Sequence, residues 1–353
     1  YMDMNEKTHP ICIYKPNTLY NKNRTIFAFD AFIKNNFLYL VMPLYKNYPS
    51  TYEIKTFVNN GKISLYNNII KNRYEATRIL IYKIDSSETT DHICATDHIC
   101  AIIYNSRKFT VSQKNMPIDL FNNSFLSLTT LCKNDYALIQ PFIKYYESNG
   151  VERFYIYYNG IITTDIQKNI TKICREFEIP IQKIVFIEWN FDYLHNNSMY
   201  STHHAQLGQI HHAIYFFGKN TSEYMIFCDM DEYFYIKNRT IEKLLRTNNG
   251  VDTFTFHNSW ARTITNDITT HTTHEFPSTF ACSKHLHGYG WRSKCIHKVS
   301  SIKTIGIHTD DKYTKQRYLT SPNHIMFHFY NWSQPKRSIN SIEGGVVFHK
   351  ITL

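Results

Sequence analysis

YMIFCDMDEYFYI, residues 224–236, carries the chain from an apolar run straight into three acids, Asp229, Asp231 and Glu232. Acids are depleted in strands, and a buried carboxylate is costly unless it is paired or bound to a cation. In extended backbone, positions i and i+2 face the same side. Read as one strand, the stretch brings Asp229 and Asp231 to one point, suited to a hard divalent cation, Mn2+ or Mg2+, with oxygen ligands. Such an ion can bridge a pyrophosphate and offset charge on a departing nucleoside diphosphate. The plainer alternative is a loop of solvated acids. A bare Asp-x-Asp arises by chance; one directly behind YMIFC is more specific.

Working outward, strands and helices alternate. SLTTLCKND (127–135), VERFYIYYN (151–159), IQKIVFIEW (181–189) and VDTFTFHNSW (251–260) read as strands. Between them, YALIQPFIKYYESNG reads as a helix ended by Gly150, and DIQKNITKICREFE as a helix stopped before Pro180. AQLGQIHHAIYFFGK (205–219) and TIEKLLRTNNG (240–250) are further helices. This pattern predicts βαβ units, a mostly parallel sheet, and ligands at the carboxyl ends of its strands. Residues 1–120 lack the alternation. TIFAFDAFI, FLYLVMPLY, EIKTFV, KISLY, TRILIYKI and CAIIYNS are short apolar runs between Asn, Gly and Lys clusters, as in a small antiparallel sheet or sandwich. The expected organisation is a β-rich domain over 1–120 and an α/β domain over 121–353. Residues 261–290, polar and rich in Thr and His, read as a lid or acceptor loop.

With 43% apolar and 19% charged residues, the chain is of the folded, globular type. A net charge of +10 fits an anionic partner, but Lys and Arg are scattered rather than blocked, so nucleic acid is not expected. Heavy use of Lys, Asn, Ile, Tyr and Phe also follows from AT-rich codons, as in a large DNA virus or a protist. The eight cysteines form no CxxC pair and read as buried free thiols in a reducing compartment. DHICATDHICA (91–101) repeats Asp-His-Ile-Cys, but its spacing fits no common zinc site and reads as a local duplication. His203, His204, His211 and His212 read as satisfied helix-surface histidines rather than a metal site. FLYLVMPLY is too short to span a bilayer, so no transmembrane segment is expected and the chain reads as soluble and cytoplasmic. An anchor removed from the chain would place it in the Golgi lumen instead.

Several segments, in order from about 125 to 335, resemble glycosyltransferase family 92. CKNDYALIQPFIKYYESNGVERFYIYYN looks like the family's opening segment, matched at Lys133, Asn134, Gly150, Val151, Phe154, Tyr155 and Asn159. GQIHHA, with Gln209, resembles the helix before the family's acidic strand, and IFCDMDEYF its DxDEF segment. FHNSW, with Trp260, resembles the strand after it. RSKCIHKVSSIKTIGIH keeps the spacing of Lys294, Ile296, Gly306 and His308, with Lys298 where the family has Arg. HFYNWSQPK (328–336) loosely resembles a terminal element. The departures are Asp135 for Glu, Pro141-Phe142 for Glu-Trp, Tyr146 for His, and Tyr158 for an Asp before Asn159.

The resemblance implies a GT-A, Rossmann-like mixed sheet flanked by helices. It also implies an inverting, metal-dependent hexosyltransferase, with UDP-galactose as donor and a glycan or glycoprotein as acceptor. The implied metal ligands are Asp229, Asp231 and His308. Lys133, Asn134, Asp135, Asn159, Gln209, Asp229, Lys294 and Lys298 become donor contacts, the two lysines toward the diphosphate. An inverting reaction needs a general base for the acceptor hydroxyl; Glu275, Asp267 and Glu232, in that order, are the candidates. Trp260 and Trp291 offer faces for sugar rings, with core packing as the alternative. Two other readings stay open: a nucleotidyl- or phosphotransferase using the same acids, and a glycan-binding protein on a transferase scaffold.

Overall fold

The computed structural model describes residues 11–20, 24–43, 54–58, 61–73, 75–86, 99–104, 107–112, 123–176, 178, 181–194, 204–219, 221–263, 277, 279–283, 292–308, 315–319, 323–330, 332 and 348–352. Strands Ser124–Cys132, Arg153–Tyr158, Ile184–Glu188 and Ser222–Phe227 lie parallel to their neighbours. They are separated in sequence by helices α1 (Tyr136–Ser148), α2 (Thr164–Glu176) and α3 (His204–His212). In space their order is third, second, first, fourth. Cys12–Tyr14 adds a parallel strand beyond the third. On the other side, Lys294–Lys298 runs antiparallel to Ser222–Phe227, followed by Thr253–Phe256 and Gln316–Leu319. The result is the expected mixed sheet, eight strands wide. The chain leaves its first strand toward one side and returns with the fourth on the other. The crevice between the carboxyl ends of those two strands is the topological switch point.

Both faces of the sheet are buried, which is why its strands read as nearly continuous apolar runs. Leu126, Leu128, Phe154, Ile156, Phe186 and Ile226 pack under α1, α2 and α4 (Ile241–Arg246). The alternate residues, Tyr155, Tyr157, Val185, Ile187, Met225 and Phe227, pack with α3 and with Phe29, Phe32, Val41, Ile79 and Ile81 from the amino-terminal region. That region builds an antiparallel four-stranded sheet, Asp30–Lys34, Phe37–Pro43, Glu75–Ser86 and Gly61–Arg73, as its short apolar runs suggest. A three-stranded sheet joins Lys55–Val58, Ile99–Tyr104 and Arg107–Ser112. Within the repeat, residues 91–98 lie outside the described residues, as does His203. Cys12, Cys132, Cys174, Cys228, Cys282 and Cys295 are free thiols. Among the described residues, no helix is long and apolar enough to cross a membrane.

Two expected strands are each divided between sheets. Residues 224–236 do not form one strand: Ser222–Phe227 belongs to the large sheet and Glu232–Ile236 to a second, five-stranded one. The second sheet continues through His324–Phe329, Asn258–Thr263, Thr279–Ser283 and Phe348–Thr352. The cause of the break is a turn, in which the Glu232 N–H donates to the Asp229 carbonyl at 3.1 Å. Likewise, 251–260 divides at His257 into Thr253–Phe256 and Asn258–Thr263. The acidic segment is therefore a tight link between two sheets, not an extended strand end.

The end of α1 is a demanding turn. Gly150 has φ of +93°, its N–H donates to Glu147 O at 2.9 Å, and the Val151 N–H donates to Tyr146 O at 2.9 Å. This 6→1 and 5→2 pair is a Schellman closure, which favours glycine at that position. A Cβ there would also come within 2.5 Å of Glu242 Cβ on α4. Gly150→Ala is expected to lower unfolding stability by about 2 kcal/mol or more, measured by chemical denaturation; an unchanged midpoint would contradict this packing.

Candidate active site

The first strand ends in Cys132, Lys133, Asn134 and Asp135, and the fourth in Cys228, Asp229, Met230 and Asp231. The switch point thus collects Asp135, Asp229, Asp231 and Glu232 at one crevice. Lys294, the first residue of the antiparallel strand beside the fourth, reaches into the same place. Its ammonium lies 3.0 Å from Asp229 Oδ2 and 3.2 Å from Glu232 Oε2, with only 2% of the side chain exposed. The Asp229 N–H also donates to Glu232 Oε2 at 2.8 Å, so the glutamate folds back under the turn. Tyr146, where the family has His, donates its hydroxyl to the Glu232 carbonyl at 2.7 Å. The Phe329 N–H donates to the Asp231 carbonyl at 2.8 Å. Both ends of the acidic turn are therefore tied to neighbouring elements.

Donors from two sides hold the carboxylates. Gln206 of α3 donates from Nε2 to Asp229 Oδ1 at 2.8 Å, and Tyr193 donates to Gln206 Oε1 at 2.9 Å. His328 sits between acids, its Nε2 3.4 Å from Asp231 Oδ2 and its Nδ1 3.5 Å from Glu232 Oε1. The Trp260 ring lies against it at a centroid distance of 4.7 Å. Burial alone would depress the Lys294 ammonium, but Asp229 and Glu232 raise it and keep it charged. Burial would raise Asp229; the charge and hydrogen bond of Lys294, then His328 and His308, bring it below the usual carboxylate range. Burial pushes Glu232 up despite Lys294. Burial would lower His328, and Asp231 and Glu232 raise it instead.

Asp135 and His308 complete the crevice. Burial, with the charges of Asp231 and Asp229, pushes the Asp135 carboxyl up to about 6 against a hydrogen bond from the Lys133 N–H. Burial and the Lys294 charge push His308 down to about 3, so its ring is neutral. Asp135 Oδ1, Glu232 Oε1 and His308 Nδ1 are buried with no hydrogen-bond partner among the described residues. Four carboxyl groups thus meet Lys294 and His328, with a neutral imidazole at His308 that has an unused nitrogen. That donor set, oxygen-rich and short of positive charge, fits a divalent cation. As the side chains stand, no three His, Cys, Asp or Glu groups among the described residues already ring a common point.

The other expected site residues are distributed unevenly. Gln209 is buried, donates to Thr129 Oγ1 at 2.6 Å, and lines a small cavity with Gln206, Asp229 and Lys294. Asn134, with φ of +62°, accepts from the Tyr158 hydroxyl at 3.2 Å, and Tyr158 accepts from Tyr136 at 3.0 Å. The phenol at 158 therefore binds the turn after the first strand. Lys133 is exposed at that turn. Asn159 is not turned to the crevice: it donates to the Trp189 and Phe191 carbonyls at 2.9 and 2.7 Å and braces the next loop. Lys298 is paired in register with Tyr224, at the amino end of the fourth strand, and lies 3.8 Å from Glu223. Four residues of strand carry it ~13 Å from Lys294, to the opposite edge of the sheet. Glu232 is sealed beneath the turn, out of reach of an acceptor. His211 and His212 are not on the helix surface but fully buried on the packed side of α3, where His211 bonds to Leu207 O and accepts from the Ile305 N–H. Glu275, Asp267 and Trp291 lie outside the described residues.

Gln206, Tyr193 and His328 were not singled out from the sequence. Gln206 was within reach, because it shares a helical face with Gln209 at i, i+3. His328 opens the HFYNW element but points to the acids only once its strand pairs with Glu232–Ile236.

The glycosyltransferase family 92 model matches residues 130–349, and the chain belongs to glycosyltransferase family 92. Among solved structures, it is similar to the mannosyltransferase Ktr4p from S. cerevisiae in complex with GDP, at 13% identity and TM-score 0.25, over 42% of this chain and 43% of that one. It is also similar to core-mannan synthase A from Aspergillus fumigatus in a Mn/GDP form, at 11% identity and TM-score 0.32, over 67% and 90% of the two chains. The chain thus spans less than half of the yeast enzyme. No curated protein sequence matches it.

The contrast between the two lysines is testable. Removing Lys294 leaves Asp229 and Glu232 facing each other without their shared cation, and breaking a buried pair this way costs about 3–5 kcal/mol. Lys294→Met is expected to lower thermal stability strongly, whereas Lys298→Ala leaves it within error. Equal effects in a thermal melt would contradict the placement.

Proposed function

We propose that the switch-point crevice binds a nucleoside-diphosphate hexose with a divalent metal, and that the chain transfers the hexose to a glycan or glycoprotein with inversion. The observation that carries this reading is the convergence of Asp135, Asp229, Asp231, Glu232 and Lys294 on the carboxyl ends of the first and fourth strands. That is where a doubly wound sheet takes its ligand. Asp231 and His308 are the residues to hold Mn2+ or Mg2+, with Asp229 beside them. When bound, the metal would neutralise charge on the diphosphate as the glycosidic bond breaks. Lys294 serves this site as a fixed counter-charge for Asp229 and Glu232 rather than as a mobile phosphate ligand. The turn at Lys133, Asn134 and Asp135 faces the nucleoside.

UDP-galactose is the donor, and inversion the outcome, that the sequence resemblance to the family implies. An inverting transfer needs a carboxylate to accept the proton of the attacking hydroxyl. With Glu232 enclosed by Lys294, His328 and the Asp229 N–H, this role falls to Glu275 or Asp267 in the acceptor loop.

The test is donor hydrolysis and thermal shift with Mn2+ and a panel of UDP- and GDP-sugars. Selective stabilisation by one sugar nucleotide, dependent on Mn2+ and lost in Asp231→Asn, is expected, with turnover reduced at least about a hundredfold, or 2.7 kcal/mol in the barrier. Preference for GDP-mannose would keep the site and replace the donor. Binding of a nucleoside triphosphate with indifference to every sugar nucleotide would turn the reading toward phosphotransfer.

A further inference from the structure

Asp229 is held from both sides. Lys294 takes Oδ2 at 3.0 Å and Gln206 takes Oδ1 at 2.8 Å. A glutamine can present either its NH2 or its carbonyl to a neighbour, and only the NH2 suits a carboxylate. Asp229 selects the NH2, and Tyr193 locks that choice. Its hydroxyl donates to Gln206 Oε1 at 2.9 Å, so the oxygen is committed and the NH2 is turned onto Asp229. Gln206 is buried on α3, whereas the Tyr193 ring is 42% exposed, in the loop after the third parallel strand. A polar tie of this phenol runs along the chain Tyr193, Gln206, Asp229.

We propose that Tyr193 and Gln206 are positioning residues for the donor site, with Tyr193 locking the amide orientation through which Gln206 fixes the Asp229 carboxylate. This rests on the crevice being the metal and donor site. With the phenol removed, the Gln206 oxygen loses its partner and the amide is held by the carboxylate alone. Asp229 is then fixed less firmly, and the acidic set loses part of its alignment toward a cation. Partners that orient a ligating group are worth about 10- to 100-fold in metal affinity.

The test compares the wild-type chain with Tyr193→Phe, Gln206→Met and the double variant. Binding of Mn2+ alone is followed by the free-ion electron paramagnetic resonance signal. Binding of UDP and of GDP in the presence of Mn2+ is followed by calorimetry, and melting temperature is recorded for each protein. Gln206→Met is expected to weaken Mn2+-dependent binding about tenfold. Tyr193→Phe is expected to weaken it several-fold at an unchanged melting temperature. Because Tyr193 acts through Gln206, the double variant should bind no more weakly than Gln206→Met. Wild-type affinity in Tyr193→Phe, or penalties that multiply in the double variant, would overturn the inference while leaving the donor site standing. A wild-type chain that binds neither Mn2+ nor nucleotide would overturn the donor-site reading, and this inference with it.

Discussion

The ammonium of Lys294, buried between Asp229 and Glu232, fixes where the eight-stranded and five-stranded sheets meet. Lys294 belongs to the large sheet, Glu232 opens the second, and Asp229 lies in the turn between them. An unpaired ammonium or carboxylate at this depth would cost several kcal/mol, so each group holds the others in place. The turn cannot relax into a continuous strand without breaking that set. It therefore leaves the Asp229 carboxylate partly exposed at the crevice, with Asp231 buried against His328 and Glu232 folded beneath. A segment that would otherwise be a strand end becomes a rigid acidic corner at the point where a doubly wound sheet opens.

Helix α3 ties this corner to the rest of the chain. On one side it supplies Gln206 to Asp229 and Gln209 to Thr129. His211 accepts from the Ile305 N–H, in the segment that leads to His308. On its other side, Gly208 lets Phe29 come so near that a Cβ would lie 2.6 Å from the ring. His212 is buried in a network with the amino-terminal region: its Nε2 lies 2.8 Å from Asp30 Oδ2, its Nδ1 2.6 Å from the Tyr157 hydroxyl, and Tyr14 donates to Asp30 at 2.5 Å. The helix then widens into a π turn over Ala213–Gly218, a departure from regular geometry that often marks functional regions. One short helix thus contacts the acidic turn, the segment before His308 and the amino-terminal sheet.

Much of this was legible in the sequence, for identifiable reasons. Strands buried on both faces give unbroken apolar runs such as RFYIYY and IVFIE, and helices with clear stops gave the alternation. The acidic turn stood out because three acids follow an apolar run. What could not be read was which residues of the turn face inward. A strand reading placed Asp229 and Asp231 on one side with Glu232 opposite; the Glu232 N–H to Asp229 carbonyl bond replaced that geometry with a turn. Lys298 shared a motif with Lys294, yet a strand's length separates them, and spacing alone does not show which end lies at the crevice. Gln206 and His328 depend on tertiary pairing. A Gln in an apolar helix and a His in an apolar strand look like ordinary core positions until the partner acids are in place.

The central claim is that the switch-point turn holds a divalent metal with a sugar-nucleotide donor. The most direct measurement is anomalous diffraction from crystals soaked with Mn2+ and a nucleoside diphosphate. The account predicts one strong manganese peak within coordination distance of Asp231 and His308, with the diphosphate against it. A manganese peak elsewhere on the chain, or a bound nucleotide with no metal at this turn, would contradict it.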